Sequence, residues 1–148
     1  MKKLISLLTC CLLICVSFTF FASAEGTTAE VYVSIADKGT LAVAYEKVTV
    51  SDIDSDGALT VNDALYAVHE AKYQGGAKAG YSYYSTEQYG LSIGTLWGDT
   101  SGSFGYYIND ASAWSLSDTV KNGDHIYAFV YADATTWSDS YSFFDKNT

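Results

Sequence analysis

The residues of this chain whose types and spacing could do chemistry lie between Asp52 and Asp63, reading D-I-D-S-D-G-A-L-T-V-N-D. Oxygen-bearing side chains fall at positions 1, 3, 5, 9 and 12 of that stretch: Asp52, Asp54, Asp56, Thr60 and Asp63. Position 6 is Gly57, and position 7, Ala58, can offer its backbone carbonyl. This is the spacing of a twelve-residue calcium loop. Ca²⁺ takes six to eight oxygens, and the sharp turn that wraps them needs a residue that tolerates φ > 0, hence the glycine. Four carboxylates so close in sequence repel one another unless a cation sits among them. The competing reading is a solvated acidic turn ahead of a helix, with Asp63 in the first helical turn. The match at every ligand position favours calcium: Asp52, Asp54, Asp56, Thr60 and Asp63 are expected to hold one ion with the Ala58 carbonyl.

Such a loop needs elements on either side to hold it. Before it, Val31, Val33 and Ile35 alternate with Glu30, Tyr32 and Ser34, the pattern of a half-buried strand. Asp37-Lys38-Gly39 is a turn signal. Leu41, Val43, Tyr45, Val48 and Val50 then predict a second strand with a bulge near Glu46-Lys47. After the loop, Val61, Ala64, Leu65, Val68 and Ala71 recur at helical spacing. Thr60 or Asn62 can cap that helix, and Gly75-Gly76 ends it. Leu59 is the apolar anchor of the loop. His69 lies off the apolar stripe and is expected at the surface.

The loop and the T-V-N-D-A-L that follows it resemble one repeat of a dockerin, the calcium-binding module of cellulosome enzymes. The aspartate at position 12 fits that family better than the glutamate of calmodulin-type hands. Dockerins carry two repeats and this chain has one, which argues against ordinary cohesin docking.

The N-terminus predicts export. Lys2 and Lys3 precede an apolar run, Leu4–Phe21, and Ala22-Ser23-Ala24 is a small-x-small cleavage signal. Residues 1–24 therefore read as a signal peptide and 25–148 as one secreted, extracellular domain; an uncleaved anchor is the alternative. Cys10, Cys11 and Cys15 all fall inside the leader, so calcium rather than disulfides would staple the mature chain. Removing Lys2 and Lys3 takes the net charge from −9 to −11, with no arginine, a balance that repels nucleic acid and anionic membrane. The mature form is expected to be a monomer that does not associate with membrane.

Further along, Ala77–Gly90 reads as a long tyrosine-rich loop or short strand. Leu91–Trp97 and Gly105–Asn109 read as strands, and Ala111–Asp118 as a helical turn. Asn122-Gly123-Asp124 is a turn, His125–Tyr131 a central strand covered on both faces, and Tyr141–Phe144 a short last strand. The order of hairpin, calcium loop, crossing helix and further strands predicts an α+β, β-grasp-like mixed sheet. The runs F-G-Y-Y-I-N-D (Phe104–Asp110), K-N-G-D-H-I-Y-A-F-V-Y (Lys121–Tyr131) and T-T-W-S-D (Thr135–Asp139) resemble a bacterial domain of unknown function. That domain is related to the transcobalamin C-terminal domain and the soluble-ligand-binding β-grasp group. The resemblance implies a ligand-binding fold and names no reaction. The helical domain of the vitamin carriers is missing, which weakens any inference to cobalamin.

No nucleophile, zinc or phosphate-loop motif occurs, so the chain is expected not to be an enzyme. Trp97, Trp114 and Trp137 sit beside Gly, Ser, Thr or Asp. They either plug the ends of the sheet or form an exposed patch that stacks on a sugar or a partner's apolar surface. Two functions follow. One is a non-catalytic, calcium-stabilised binding or adhesion module for a small ligand, carbohydrate or protein. The other is a dockerin-like assembly module that attaches to an extracellular scaffold.

Overall fold

The computed structural model describes residues 27–136. The signal-peptide reading, Trp137 and the strand expected over Tyr141–Phe144 lie outside them. The chain is α+β and mostly strand. β1 (Thr28–Asp37) and β2 (Thr40–Ser51) form an antiparallel hairpin. Helices α1 (Val61–Lys72) and α2 (Ala77–Gly80) follow, and then the hairpin β3 (Ser82–Thr86) and β4 (Gly90–Thr95). β5 (Phe104–Ile108), β6 (Ala111–Ser112) and β7 (His125–Val130) complete the order. The main sheet runs β2-β1-β7-β5-β6, and β3-β4 stands apart as a two-stranded sheet. β7 pairs parallel with β1 and antiparallel with β5, so the sheet is mixed. Among the described residues no helix is long and apolar enough to cross a membrane.

The alternating apolar positions of β1 do what their spacing demands. Val31, Val33 and Ile35 are fully buried and meet Val50, Val61, Leu65, Val68 and Ile126 in the core. The Lys38-Gly39 turn has positive φ at both residues, 48° and 82°, the backbone of a tight hairpin turn. The bulge of β2 lies at Ala44–Tyr45 rather than Glu46–Lys47: Val33 pairs with Glu46 but Ile35 with Val43. Tyr45 carries the strain, at φ 49°. Ser34 explains the position, because its Oγ accepts the Tyr45 N–H at 3.0 Å.

All six residues of β7 are buried, as expected for a central strand. Three other expectations are corrected. His69 is wholly buried, and Ala71 is exposed. Ala111–Asp118 is not helical: Asn109-Asp110 turns the chain back so that Ala111 pairs with Ile108. The Asp118 carboxylate then accepts the Trp114 and Ser115 N–H groups at 2.7 and 3.3 Å, holding a turn.

Candidate metal centre and the aromatic residues

The acidic loop is strung between the end of β2 and the start of α1, and its exit is clamped. The Val61 and Asn62 amides donate to the carbonyls of Asp118 and Leu116, and the Val120 amide donates to the Leu59 carbonyl. The first two amides of α1, which have no partner within the helix, are thereby satisfied. Thr60 is the N-cap: it is extended (φ −128°, ψ 171°), its Oγ1 accepts the Asp63 amide, and Asp63 Oδ2 accepts the Thr60 amide at 2.8 Å. This is a reciprocal capping box with aspartate in place of glutamate. Leu59 packs against the core as the anchor.

Within the loop, oxygens of Asp52, Asp54 and Asp63 lie within 4.8 Å of one another, a group able to hold a metal ion. Asp52 arrives from the β2 end, Asp54 from the middle and Asp63 from the helix. Asp52 is held by the loop's own amides, with Gly57 N–H on Oδ2 at 2.9 Å and Asp56 N–H on Oδ1 at 3.2 Å. Gly57, at φ 87°, supplies the turn that aims them. The Gly57 bond is the main reason the Asp52 carboxyl titrates below its ordinary value. Asp54 is pushed the other way, first by partial desolvation and then by the charges of Asp56, Asp63 and Asp52.

The remaining predicted ligands are placed differently. Asp56 is exposed, and its Oδ1 accepts the Ala58 amide at 2.8 Å. The Thr60 hydroxyl is engaged in the cap, donating to Asp63 Oδ2 at 2.8 Å. Asp63 Oδ1 accepts the Ile53 amide at 3.0 Å, so Asp63 joins the two ends of the loop.

The tryptophans do not share one environment. Trp97 is half-buried, 5.2 Å from the His69 ring and edge-on to Tyr73 at 5.0 Å. Trp114 is 81% exposed. Trp97 is therefore part of the packing over α1, and only Trp114 presents a free ring among the described tryptophans.

Two buried polar groupings were not foreseen. In the first, His69 Nδ1 donates to the Leu65 carbonyl at 2.6 Å and Nε2 accepts the Trp97 amide at 3.1 Å. Tyr81 stacks on the ring at 5.0 Å. Burial lowers the His69 pKa to about 4, so it is a neutral core residue at pH 7. In the second, Ser34 Oγ and His125 Nε2 lie 2.8 Å apart in the sheet. Ser34 is 1% exposed, and the Tyr45 ring lies edge-on to His125 at 4.9 Å. The pair fills the space behind the β2 bulge.

No protein-family model, curated protein or solved structure matches this chain.

Proposed function

We propose that this chain is a secreted, monomeric, non-catalytic binding module stapled by one Ca²⁺. The observation that carries the reading is the meeting of Asp52, Asp54 and Asp63 oxygens within 4.8 Å, from both ends of one loop. Hard oxygen donors in a loop with a left-handed glycine suit Ca²⁺ rather than a softer metal. Asp52, Asp54 and Asp63 are the core ligands, with Asp56, the Ala58 carbonyl and Thr60 completing the shell. The ion would offset the desolvation and the carboxylate repulsion that together raise the Asp54 pKa, and would fix the junction between hairpin and helix. A single loop has no partner with which to act cooperatively, so the role is structural.

We further read the architecture as β-grasp-like. The support is a hairpin beside a parallel central pair, β1 and β7, with a helix crossing between the hairpin and the later strands. The ligand-binding reading over the assembly reading is supported by the helix stripe. Val61, Leu65 and Val68 are fully buried against the sheet and could not also dock onto a scaffold.

Isothermal titration with CaCl₂ tests the metal. One site with a Kd of about 10⁻⁴–10⁻³ M is expected, the range of extracellular modules. Heats indistinguishable between the native protein and Asp54→Ala would refute the assignment.

A further inference from the structure

A cleft of about 430 Å³ opens beside α1, α2 and the start of β3, lined by Tyr66, Ala77, Lys78, Tyr81, Ser82 and Tyr83. That volume is in the range of small-molecule sites, which run from about 300 to 1,000 Å³. Its floor is rigid. Tyr81 is 7% exposed, stacked on His69, and its hydroxyl donates to Asn62 Oδ1 at 2.9 Å. Its wall is accessible: Tyr83 is 40% exposed, with its ring 6.3 Å from that of Tyr81. Ser82 Oγ donates to Thr95 Oγ1 at 2.7 Å, tying the start of β3 to the end of β4. The lining contains one cation and no acid. Lys38, Lys47 and Lys72 each pair with a carboxylate, but Lys78 makes no ion pair with any described residue. In a chain of net charge −9, an unpaired ammonium beside tyrosine faces selects for a ligand that brings its own anion.

We propose that this cleft binds a uronic acid: a pyranose ring whose apolar C–H face lies on Tyr83 and whose carboxylate is taken by Lys78. The inference rests on the reading of the chain as a binding module and supplies its ligand class. Tyrosine faces account for the ring, and the Lys78 ammonium accounts for the acid.

The test is a ¹H–¹⁵N NMR titration of the calcium-supplemented protein with glucuronate, glucose and acetate in parallel. A monosaccharide is used because calcium cross-links polyuronates by itself. Glucuronate is expected to shift the amides of Tyr66, Lys78, Ser82 and Tyr83, binding about tenfold more tightly than glucose or acetate. Lys78→Gln should remove the preference for glucuronate over glucose, and Tyr83→Ala should abolish both. Both residues are exposed, and retained dispersion of the spectrum checks that the variants fold. Equal affinity for glucuronate and acetate, equal affinity for glucuronate and glucose, or shifts confined to other residues would overturn the proposal. Calcium-dependent melting of the same samples separates the two readings. A melt that responds to calcium in a protein that ignores glucuronate rejects the uronate site alone. Glucuronate binding in a protein that ignores calcium rejects the metal assignment alone.

Discussion

Asp54 is a loop residue whose charge the fold disfavours. Partial desolvation and the neighbouring carboxylates raise its pKa, so without a cation its ionised form destabilises the folded state. Stability of the calcium-free protein should therefore fall as pH rises from the ordinary aspartate value through the raised one. Asp54→Asn should remove that loss: the variant melts higher than the native protein in chelator and gains little from calcium, as read by circular dichroism melts under both conditions. His69 behaves in the opposite sense. Its folded pKa, about 4, lies below the unfolded value of 6.5, so the unfolded chain binds the extra proton first. The neutral-histidine contribution is whole above pH 6.5 and is lost as pH falls from 6.5 toward 4. A shift of that size corresponds to about 3 kcal/mol at most. The native-minus-variant difference in urea unfolding free energy, with His69→Gln as the variant, should fall as pH drops from 6.5 toward 4; a difference constant across that window would show that His69 does not titrate with folding.

At the scale of elements, the loop and α1 are one unit, because Asp63 is both position 12 of the loop and the third residue of the helix. Thr60→Ala removes the cap and should cost about 1 kcal/mol in denaturant unfolding in chelator, and more in calcium, where a ligand is lost as well. Asn62 extends the unit. Its Oδ1 accepts from Tyr81, and its Nδ2 reaches Asp54 Oδ2 at 3.4 Å, so the acidic loop and the β3 end of the cleft share one buried amide. Asn62→Leu should weaken calcium binding severalfold in titration calorimetry while leaving the Tyr81 hydroxyl unpaired. The same helix shows what was legible in the sequence. The stripe of Val61, Ala64, Leu65 and Val68 was readable because it is apolar and faces the sheet. A second stripe, Asn62, Tyr66, His69 and Tyr73, faces Tyr81, Trp97 and the cleft. Polar and aromatic types look solvent-facing until a second layer is known to cover them, so His69 reads as surface. That layer was itself hidden, since the residues of β3 are exposed or half-exposed and show no apolar alternation. The β2 bulge was readable as a break in alternation, but its position depends on Ser34 and His125, which come from two other strands.

For the whole molecule, the ligand positions of the loop were readable because twelve consecutive residues carry them all, whereas the cleft is assembled from α1, α2 and β3 and has no sequence signature. The leader reading belongs to the same scale: N-terminal sequencing of protein from culture supernatant should begin at Glu25, and a membrane-bound chain retaining Met1 would reject export with cleavage. What joins these features is the claim that one calcium ion holds hairpin and helix together in a chain whose cysteines all lie in the predicted leader. With a Kd of about 10⁻⁴–10⁻³ M, about 10 mM calcium should stabilise the folded state by about 1.4–2.7 kcal/mol. The direct measurement is thermal unfolding in chelator and in about 10 mM calcium, on the native protein and on Asp54→Ala. The account predicts a rise in Tm of roughly 5–10 °C for the native protein, absent in the variant. The same Tm in chelator and in calcium would contradict it.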